Sequence, residues 1–263
     1  MGTICVTGSA SGMGLATAER LRATGHTVIG VDVRDADVVA DLGTPDGRAA
    51  ALAGIEAACS GVLDGFAPFA GMGGLPDRAG SLVASVNYFG TAVLLEGLRP
   101  LLARGTDPAV VVISSNSITC QPNVPRDLVD AFLAGDESRA RALADEHGSV
   151  NTYPASKIAL AWWVRREAVG ADWAGAGIRL NAIAPGLVDT ALTAEQRADA
   201  TMAPLIAQFP IPLGRGGRAD ELAAVVEFLL GPGGSFFCGS VIFCDGGTDA
   251  LLRGDAWPAI WEL

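Results

Sequence analysis

The chain has 263 residues, half of them apolar, and this length suffices for one large domain with a substantial core. Its 18 basic and 29 acidic residues give a formal charge of −11, which disfavours nucleic acid and anionic membrane surfaces as partners. With only two histidines, neither a histidine-rich metal site nor a Ser-His-Asp triad is expected, and we predict no bound metal.

The cysteines and the spread of apolar residues favour a cytoplasmic protein. The five cysteines form no C-x-x-C pair and their number is odd, which is typical of reduced, mostly buried thiols. Glycine or a charged residue interrupts every apolar run before the length of about 20 residues that a membrane-spanning helix needs. The chain starts directly in a strand-like run, so we expect neither a leader sequence nor a membrane anchor.

Short apolar runs that end in glycine or an acid alternate with Ala- and Leu-rich segments of helical length. This alternation is typical of a parallel sheet with crossover helices, so we predict one doubly wound α/β domain over residues 1–263. The predicted strands are Thr3–Thr7, Thr27–Val33, Val38–Ala40, Gly65–Ala70, Ala109–Ser114, Ile178–Ile183 and Ser240–Cys244. The predicted helices are Gly12–Thr24, Asp46–Ser60, Gly80–Ala103, Tyr153–Ala174 and Ala219–Leu230.

Two connections are longer than compact domains usually allow, and connections of such length are usually functional. The first, at about residues 120–150, has Leu128 and Phe132 at helical spacing and glycines that punctuate it. We therefore predict a small helical insertion there. The second, at about residues 189–217, fits neither a strand nor a helix of the main pattern.

The first strand runs into a glycine-rich turn that opens the first helix, Thr7-Gly8-Ser9-Ala10-Ser11-Gly12-Met13-Gly14. Glycines permit a tight turn and a close backbone approach, and a helix N-terminus offers free N–H groups to a pyrophosphate. Such a turn alone is weak evidence, but its place between a strand and a helix predicts a dinucleotide site. The predicted contacts are Gly8, Ser11, Gly12, Met13 and Gly14.

The second strand carries Asp32 at about the distance, roughly 20 residues on, where dinucleotide folds place their ribose ligand. A carboxylate there accepts hydrogen bonds from both adenosine-ribose hydroxyls, whereas a 2′-phosphate would meet like charge. NAD is therefore favoured over NADP, and Arg34, two residues on, softens that preference. A solvated acid at a strand end is the alternative interpretation of Asp32.

On a helix, Tyr153 and Lys157 stand at i and i+4, so the phenol and the ammonium share one face. Lowering a phenol pKa from about 10 to about 7 needs roughly 4 kcal/mol. One charge about 4 Å away supplies about that much at an effective dielectric of about 20. This spacing alone is equally typical of a solvated pair, so the interpretation depends on the rest of the site.

Over nearly its whole length the chain resembles the short-chain dehydrogenase/reductase family. The glycine turn meets the family's T-G-x-x-x-G-x-G motif, and Pro68-Phe69-Ala70-Gly71 stands where the family has N-N-A-G, with both asparagines replaced. The resemblance implies a Rossmann-like sheet of about seven strands. It also implies that Asp41 and Leu42 cup the adenine, and that Ala70 and Gly71 contact the cofactor.

The family's four catalytic residues map onto Asn87, Ser115, Tyr153 and Lys157. In the mechanism that this implies, Tyr153 exchanges a proton with the substrate while hydride passes to or from the nicotinamide. Lys157 lowers the tyrosine pKa and holds the nicotinamide ribose, Ser115 donates a hydrogen bond to the substrate oxygen, and Asn87 holds a water in a proton relay. A helix-packing amide is the alternative for Asn87, and Ser114, on the opposite face of its strand, competes with Ser115.

The segment Asn181–Gly186 resembles the family's nicotinamide-carboxamide segment. The cofactor contacts that this implies are Pro185, Gly186, Val188 and Thr190, together with Tyr153 and Lys157. The long segment at about residues 189–217 then becomes a substrate lid. Its apolar wall would comprise Leu187, Leu192, Met202, Leu205, Ile206 and Phe209, with plain hydrophobic packing as the alternative for each.

Local details such as Val31–Ala36 and the insertion before Tyr153 resemble the bacterial 3α-hydroxysteroid dehydrogenase/carbonyl reductase branch. We therefore expect an NAD-dependent oxidoreductase that interconverts a lipophilic secondary alcohol and its ketone, with a steroid as the leading candidate. The alternatives are a coniferyl-alcohol or terpene-alcohol dehydrogenase and a catalytically idle NAD-binding protein. The resemblance also implies a homo-oligomer, a dimer or a tetramer, with the insertion restricting assembly to a dimer.

Overall fold

The computed structural model describes residues 1–260 and contains a seven-stranded sheet in which every pair of neighbouring strands is parallel. The strands are β1 Thr3–Thr7, β2 Thr27–Asp32, β3 Val38–Val39, β4 Gly65–Pro68, β5 Ala109–Ile113, β6 Arg179–Pro185 and β7 Val241–Cys244. Their order is β3-β2-β1-β4-β5-β6-β7. The predicted doubly wound parallel sheet is confirmed.

Helices cover both faces of the sheet. The α-helices are α1 Gly12–Ala23, α2 Pro45–Ala58, α3 Gly80–Ala84, α4 Gly90–Leu102, α5 Ser117–Cys120, α6 Arg126–Leu133, α7 Glu137–His147, α8 Ser149–Glu167, α9 Ala191–Ala198, α10 Met202–Ala207, α11 Ala219–Leu230 and α12 Thr248–Arg253. A π-helical turn, Ser85–Phe89, joins α3 to α4. Short 3₁₀ turns lie at Ala174–Ala176, Pro232–Gly234 and Gly254–Ala256.

The central strands are apolar on both sides because helices cover both faces. In β5 every residue is buried, and alternate side chains enter opposite cores. Val110 and Val112 join the core beneath α2, α4 and α8, whereas Val111 and Ile113 join the core beneath α1 and α11. This is why β5 is a continuous apolar run and not an alternating one.

The strand order reverses between β1 and β4, because β2 and β3 lie on one side of β1 and all later strands lie on the other. Loops that leave the carboxyl ends of parallel strands diverge at such a switch point and form a crevice there. The glycine turn follows β1, Phe69–Gly71 follows β4, and Ser115 follows β5. The fold therefore gathers the predicted site residues at one edge of the sheet.

The helix that carries Tyr153 differs from its predicted bounds at both ends. It begins at Ser149, a turn early, because Gly148 at φ +77° ends α7 and starts α8. It ends at Glu167, and Ala174 lies instead in a separate 3₁₀ turn. Pro154 lacks the N–H that would bond to Val150, and the Gln121 amide donates to that carbonyl at 3.1 Å instead.

The two long connections contain helices of their own. The predicted insertion consists of α6 and α7, which are separated by Gly135 at φ +70°. The segment at residues 189–217 contains α9 and α10.

By length and composition alone, the continuous helical segment Gly80–Leu102 would suffice to cross a membrane, contrary to the expectation from the apolar runs of the sequence. Of its most apolar window, 67% is buried inside this fold, where α4 packs against α2.

Candidate active site

A crevice of about 440 Å³ opens at the switch point, between the loops that follow β1, β2 and β4. Predicted cofactor residues that line it are Gly8, Ser11, Gly12, Met13, Gly14, Asp32, Asp41, Leu42, Ala70, Gly71 and Thr190. They come from separate segments of the first half of the chain and from the start of the lid segment. The fold thus brings the adenine and pyrophosphate part of the predicted dinucleotide site into one cleft, whereas Tyr153, Lys157, Pro185, Gly186 and Val188 lie outside its lining.

Two glycines of the turn, Gly8 and Gly14, leave no room for a side chain. A Cβ built on Gly14 would lie 2.1 Å from the Gly8 carbonyl oxygen, and Gly8 at φ +67° would bring a Cβ within 2.8 Å of the Ala70 nitrogen. Ser11 precedes α1 without a side-chain hydrogen bond to the first turn of the helix. The N-terminal amides of α1 are therefore left for a ligand in the crevice, as an anion site requires.

Asp32 lies at the end of β2 and faces the crevice. One carboxylate oxygen accepts a hydrogen bond from the Ala10 amide at 3.0 Å, and the other accepts from the Val33 amide at 2.7 Å. The carboxylate is therefore oriented by the glycine turn. Each oxygen retains lone pairs for further donors, such as the hydroxyls of a ribose.

Tyr153 and Lys157 lie one turn apart on α8, and Ser115 reaches them from the end of β5. Burial raises the pKa of Tyr153, and a hydrogen bond with the Ser115 hydroxyl acts in the opposite direction. The Lys157 Nζ is 5.9 Å from the centroid of the Tyr153 ring. Ser115 Oγ in turn accepts a hydrogen bond from the Ser117 amide at 3.1 Å, which orients it.

Lys157 was expected to lower the pKa of Tyr153, and the structure does not show this effect. Lys157 is buried, and its ammonium donates a hydrogen bond to the Ile113 carbonyl at 2.9 Å. Burial lowers the pKa of Lys157 itself to about 8. The pKa of Tyr153 is raised and not lowered, because desolvation of the phenol outweighs the favourable contacts.

Ser114 and Ser115 have different partners, as the alternation along β5 predicts. The Ser114 hydroxyl donates to the backbone carbonyl of Lys157 at 2.9 Å, whereas Ser115 points to Tyr153. Ser114 therefore attaches α8 to the end of β5. This bond helps to set the distance between Ser115 and the Tyr153 phenol.

Asn87 is completely buried in the π-helical turn. Its amide group donates to the Met72 carbonyl and accepts from the Met72 amide, both at 2.9 Å. A Cβ built on Gly71 would lie 3.2 Å from Asn87 Oδ1 and 3.8 Å from Lys157 Nζ. Asn87 and Lys157 therefore face the same small space beside the loop after β4, and π-helical turns are frequent at such functional positions.

Comparison with known proteins agrees with this geometry. The 3-alpha-hydroxysteroid dehydrogenase/carbonyl reductase of Comamonas testosteroni is 42% identical over 256 residues, which cover 96% of this chain and 98% of that protein. The chain belongs to the short-chain dehydrogenase/reductase family. The coniferyl-alcohol dehydrogenase of Pseudomonas sp. (strain HR199 / DSM 7063) is 31% identical and covers 93% of this chain and 95% of its own length.

The fold of this chain is also similar to that of a solved short-chain dehydrogenase/reductase. The 3-alpha-hydroxysteroid dehydrogenase from Pseudomonas sp. B-0831, complexed with NADH, has 48% identity and a TM-score of 0.91. The match covers 95% of this chain and 98% of that one. A family model described as Enoyl-(Acyl carrier protein) reductase also matches residues 148–249, the part that carries Tyr153 and Lys157.

In this short-chain dehydrogenase/reductase the segment after β6 lies at the same edge of the sheet as the crevice. Pro185 accepts a hydrogen bond from the Asn116 amide at 2.8 Å, and a Cβ on Gly186 would meet the Asp245 backbone at 2.7 Å. Val188 is buried and accepts a hydrogen bond from Thr193 Oγ1 at 2.6 Å. Of the four predicted nicotinamide contacts, Thr190 lines the crevice, while the other three lie outside its lining.

The structure divides the predicted apolar wall. Leu192 lines the cofactor crevice, whereas Leu187, Ile206 and Phe209 line a separate cavity of about 550 Å³. Met202 is buried, and Leu205 is 61% exposed. The wall is therefore not one continuous surface, because α9 and α10 direct their apolar residues to different sides of the segment.

Several residues that line the crevice were not predicted from the sequence. Leu82 and Val86 stand at i and i+4 on the helix that leads to Asn87, and both face the cleft with Phe69 and Met72. Their spacing is the signal that identifies a shared helix face. The spacing does not say which neighbour the face meets, and only the fold places it against the crevice.

Proposed function

We propose that this protein is an NAD-dependent oxidoreductase that interconverts a 3α-hydroxysteroid, or another lipophilic secondary alcohol, and the corresponding ketone. The observation that supports it best is the convergence of Ser115, Tyr153 and Lys157, where Lys157 lies next to Gly71 of the crevice lining. The relatives support the choice of substrate, since the proteins from Comamonas testosteroni and from Pseudomonas sp. B-0831 are both named as 3α-hydroxysteroid dehydrogenases.

The crevice fits a dinucleotide. The backbone of the glycine turn is closely packed at Gly8 and Gly14, where no Cβ would fit, and Asp32 presents an oriented carboxylate at the end of β2. That carboxylate favours a ribose with two free hydroxyls, which supports NAD over NADP. When bound, NAD would supply the group that accepts or donates hydride.

We assign the proton transfer to the Tyr153 hydroxyl. In the direction of alcohol oxidation, the phenolate would accept the substrate proton, and in reduction the phenol would donate it. Ser115 would donate to the substrate oxygen and stabilise the charge that develops there. Lys157, with its pKa of about 8, and Asn87 face a common space from which the proton can be exchanged with water.

A substrate panel with two matched steroids tests the proposal. Purified protein with NAD would be given a 3α-hydroxysteroid, its 3β epimer, coniferyl alcohol and a terpene alcohol, with NADH formation measured by absorbance. We expect turnover of the 3α epimer, little with the 3β epimer, and a loss of about 10²-fold or more in Tyr153→Phe. No NADH with either steroid would contradict the steroid assignment, and turnover only with coniferyl alcohol would support the likeness to the 31% identical relative.

Asp32→Ala tests whether the carboxylate selects NAD over NADP. The variant should raise the KM for NAD and relax the discrimination against NADP, because both ribose acceptors are lost. An unchanged ratio of the two cofactors would exclude the ribose role. A catalytically idle NAD-binding protein is the remaining alternative; it would bind NADH yet turn over nothing in the panel.

The remaining proposals concern the whole chain. We propose that residues 1–263 form one dinucleotide-binding domain, with a helical insertion at about 120–150 and a substrate lid at about 189–217; the single sheet supports this. We also propose a homo-oligomer, a dimer or a tetramer, located in the cytoplasm. All five cysteines are free thiols, which supports a reducing compartment. Light scattering would determine the assembly.

A further inference from the structure

Glu137, at the start of α7, links the insertion to two elements that border the cofactor crevice. One Glu137 oxygen accepts a hydrogen bond from Arg48 Nη2 at 2.6 Å. The other accepts from the Ser85 hydroxyl at 3.3 Å. A single side chain of the insertion thus joins α2 to the first residue of the π-helical turn.

The contact with Arg48 leads to the adenine end of the crevice. Arg48 is 3% exposed, and its second terminal nitrogen donates to the Leu42 carbonyl at 3.4 Å. Leu42 lines the crevice, and its carbonyl oxygen also lies close to Gly90, which follows the π-helical turn. A buried guanidinium requires its partner, because an unpaired charge in this position is strongly unfavourable.

The contact with Ser85 leads to the other side of the same crevice. Ser85 is fully buried and also accepts a hydrogen bond from Arg141 of α7. Two residues later, Asn87 holds the backbone of Met72, which lines the crevice. Both contacts of Glu137 are therefore linked to walls of the cofactor site, one through Arg48 to Leu42 and the other through the π-helical turn to Met72.

We propose that Glu137 is a positioning residue for the adenine half of the dinucleotide. It holds Arg48 in place so that Leu42 keeps its position in the crevice, and it holds the start of the turn that carries Asn87. Attachment of the insertion does not need this pair, because Leu128 and Phe132, both 0% exposed, already anchor the insertion in the core. The inference rests on the proposed function, since it requires a dinucleotide in this crevice.

ADP-ribose is the appropriate probe, because it contains the adenine half of the cofactor and lacks the nicotinamide. We expect Glu137→Ala to raise the Kd for ADP-ribose about tenfold by calorimetry, with a smaller rise, about threefold, in the isosteric variant Glu137→Gln. The matched control is Asp130→Asn, which breaks the exposed pair of Arg126 and Asp130 in the same insertion. That variant should bind ADP-ribose like the wild type.

A double variant separates positioning from folding. Arg48→Met with Glu137→Leu replaces the buried pair by apolar groups, which is often neutral or stabilising. It should therefore unfold near the wild-type temperature and still bind ADP-ribose weakly, because no group holds the Leu42 carbonyl. Wild-type affinity in this double variant, or in both single variants of Glu137, would overturn the positioning role. Failure of the wild-type protein to bind ADP-ribose would instead overturn the proposed function itself.

Discussion

The insertion and the lid are both long excursions from the sheet beside the same crevice, yet they are held in different ways. In the insertion, Leu128 and Phe132 are fully buried, and Arg48 and Glu137 form an ion pair whose arginine side chain is 4% exposed. In the lid, Leu205 and Leu213 are 61% and 71% exposed. The length of a connecting segment therefore does not show whether the fold holds it firmly or loosely.

The attachments of the lid are mostly exposed polar contacts. Arg78, after β4, pairs with Glu195 of α9 at 2.6 Å, and the Glu195 side chain is 48% exposed. Gln196 donates to the Gly74 carbonyl at 3.5 Å, a long hydrogen bond. Exposed ion pairs contribute little to stability, typically about 0–1 kcal/mol. The comparison indicates that the insertion is held more firmly than the lid, through buried apolar side chains and a buried arginine.

The largest expected difference concerns stability. Phe132→Ala in the insertion should lower the free energy of unfolding by about 3–5 kcal/mol, because it leaves a cavity in a close-packed core. Leu205→Ala in the lid should change it by less than about 0.5 kcal/mol, since that side chain is exposed. Urea unfolding measures both. Equal effects would break the distinction between the two segments.

The second prediction uses Lys157, on the helix against which the insertion packs. Burial lowers the pKa of Lys157 to about 8 from its ordinary value of 10.5. Between these values the unfolded chain binds a proton that the folded chain does not, so the unfolding free energy rises with pH. The complete rise corresponds to about 3 kcal/mol at about 1.36 kcal/mol per unit.

Lys157→Met removes this titration while keeping an apolar side chain of similar length. The variant should therefore exceed the wild type in stability near neutral pH, and the difference should shrink as the pH rises from about 8 to about 10.5. Urea titrations of both proteins across this range provide the measurement. If the difference in unfolding free energy did not depend on pH, the ammonium of Lys157 would be solvated and its pKa would not be lowered by burial.

The third prediction compares local opening. Arg197 in the lid and Arg141 in the insertion are both exposed, so trypsin meets similar side chains in the two segments. Cleavage after Arg197 should be about tenfold faster or more, because cleavage requires local unfolding and the lid has fewer buried contacts. NADH should protect Arg197 more than Arg141. Mass spectrometry of a limited digest identifies the first cut, and a first cut after Arg141 would reverse the assignment.

The smallest effect is expected for the pair that holds the lid. Arg78→Ala should change the unfolding free energy by less than about 1 kcal/mol, because Glu195 is largely solvated. It should nevertheless speed the release of NADH, measured by stopped-flow fluorescence, since the contact joins the lid to the loop after β4. Arg215→Ala, in an exposed pair with Glu221 away from the crevice, is the control and should leave the release rate unchanged. Equal rates of NADH release in both variants would show that the pair of Arg78 and Glu195 does not hold the lid.

The amino-acid sequence by itself determined the parallel sheet and the glycine turn, and it placed Tyr153 and Lys157 on one helix face. These features depend on repeated or local spacing: alternation of apolar runs, glycines in a turn between a strand and a helix, and two residues one helical turn apart. The separation of Ser114 from Ser115 followed from strand alternation in the same way. The roles predicted for Asn87, Ser115, Tyr153 and Lys157 came from the resemblance to the family.

Only the tertiary structure decided how these groups act on one another. It buried Lys157 against the Ile113 carbonyl, raised the Tyr153 pKa through desolvation and divided the apolar wall of the lid. It also brought Glu137 to Arg48, 89 residues away in the chain. Burial and long-range pairing depend on the packing of whole layers, and no local spacing in the sequence specifies them.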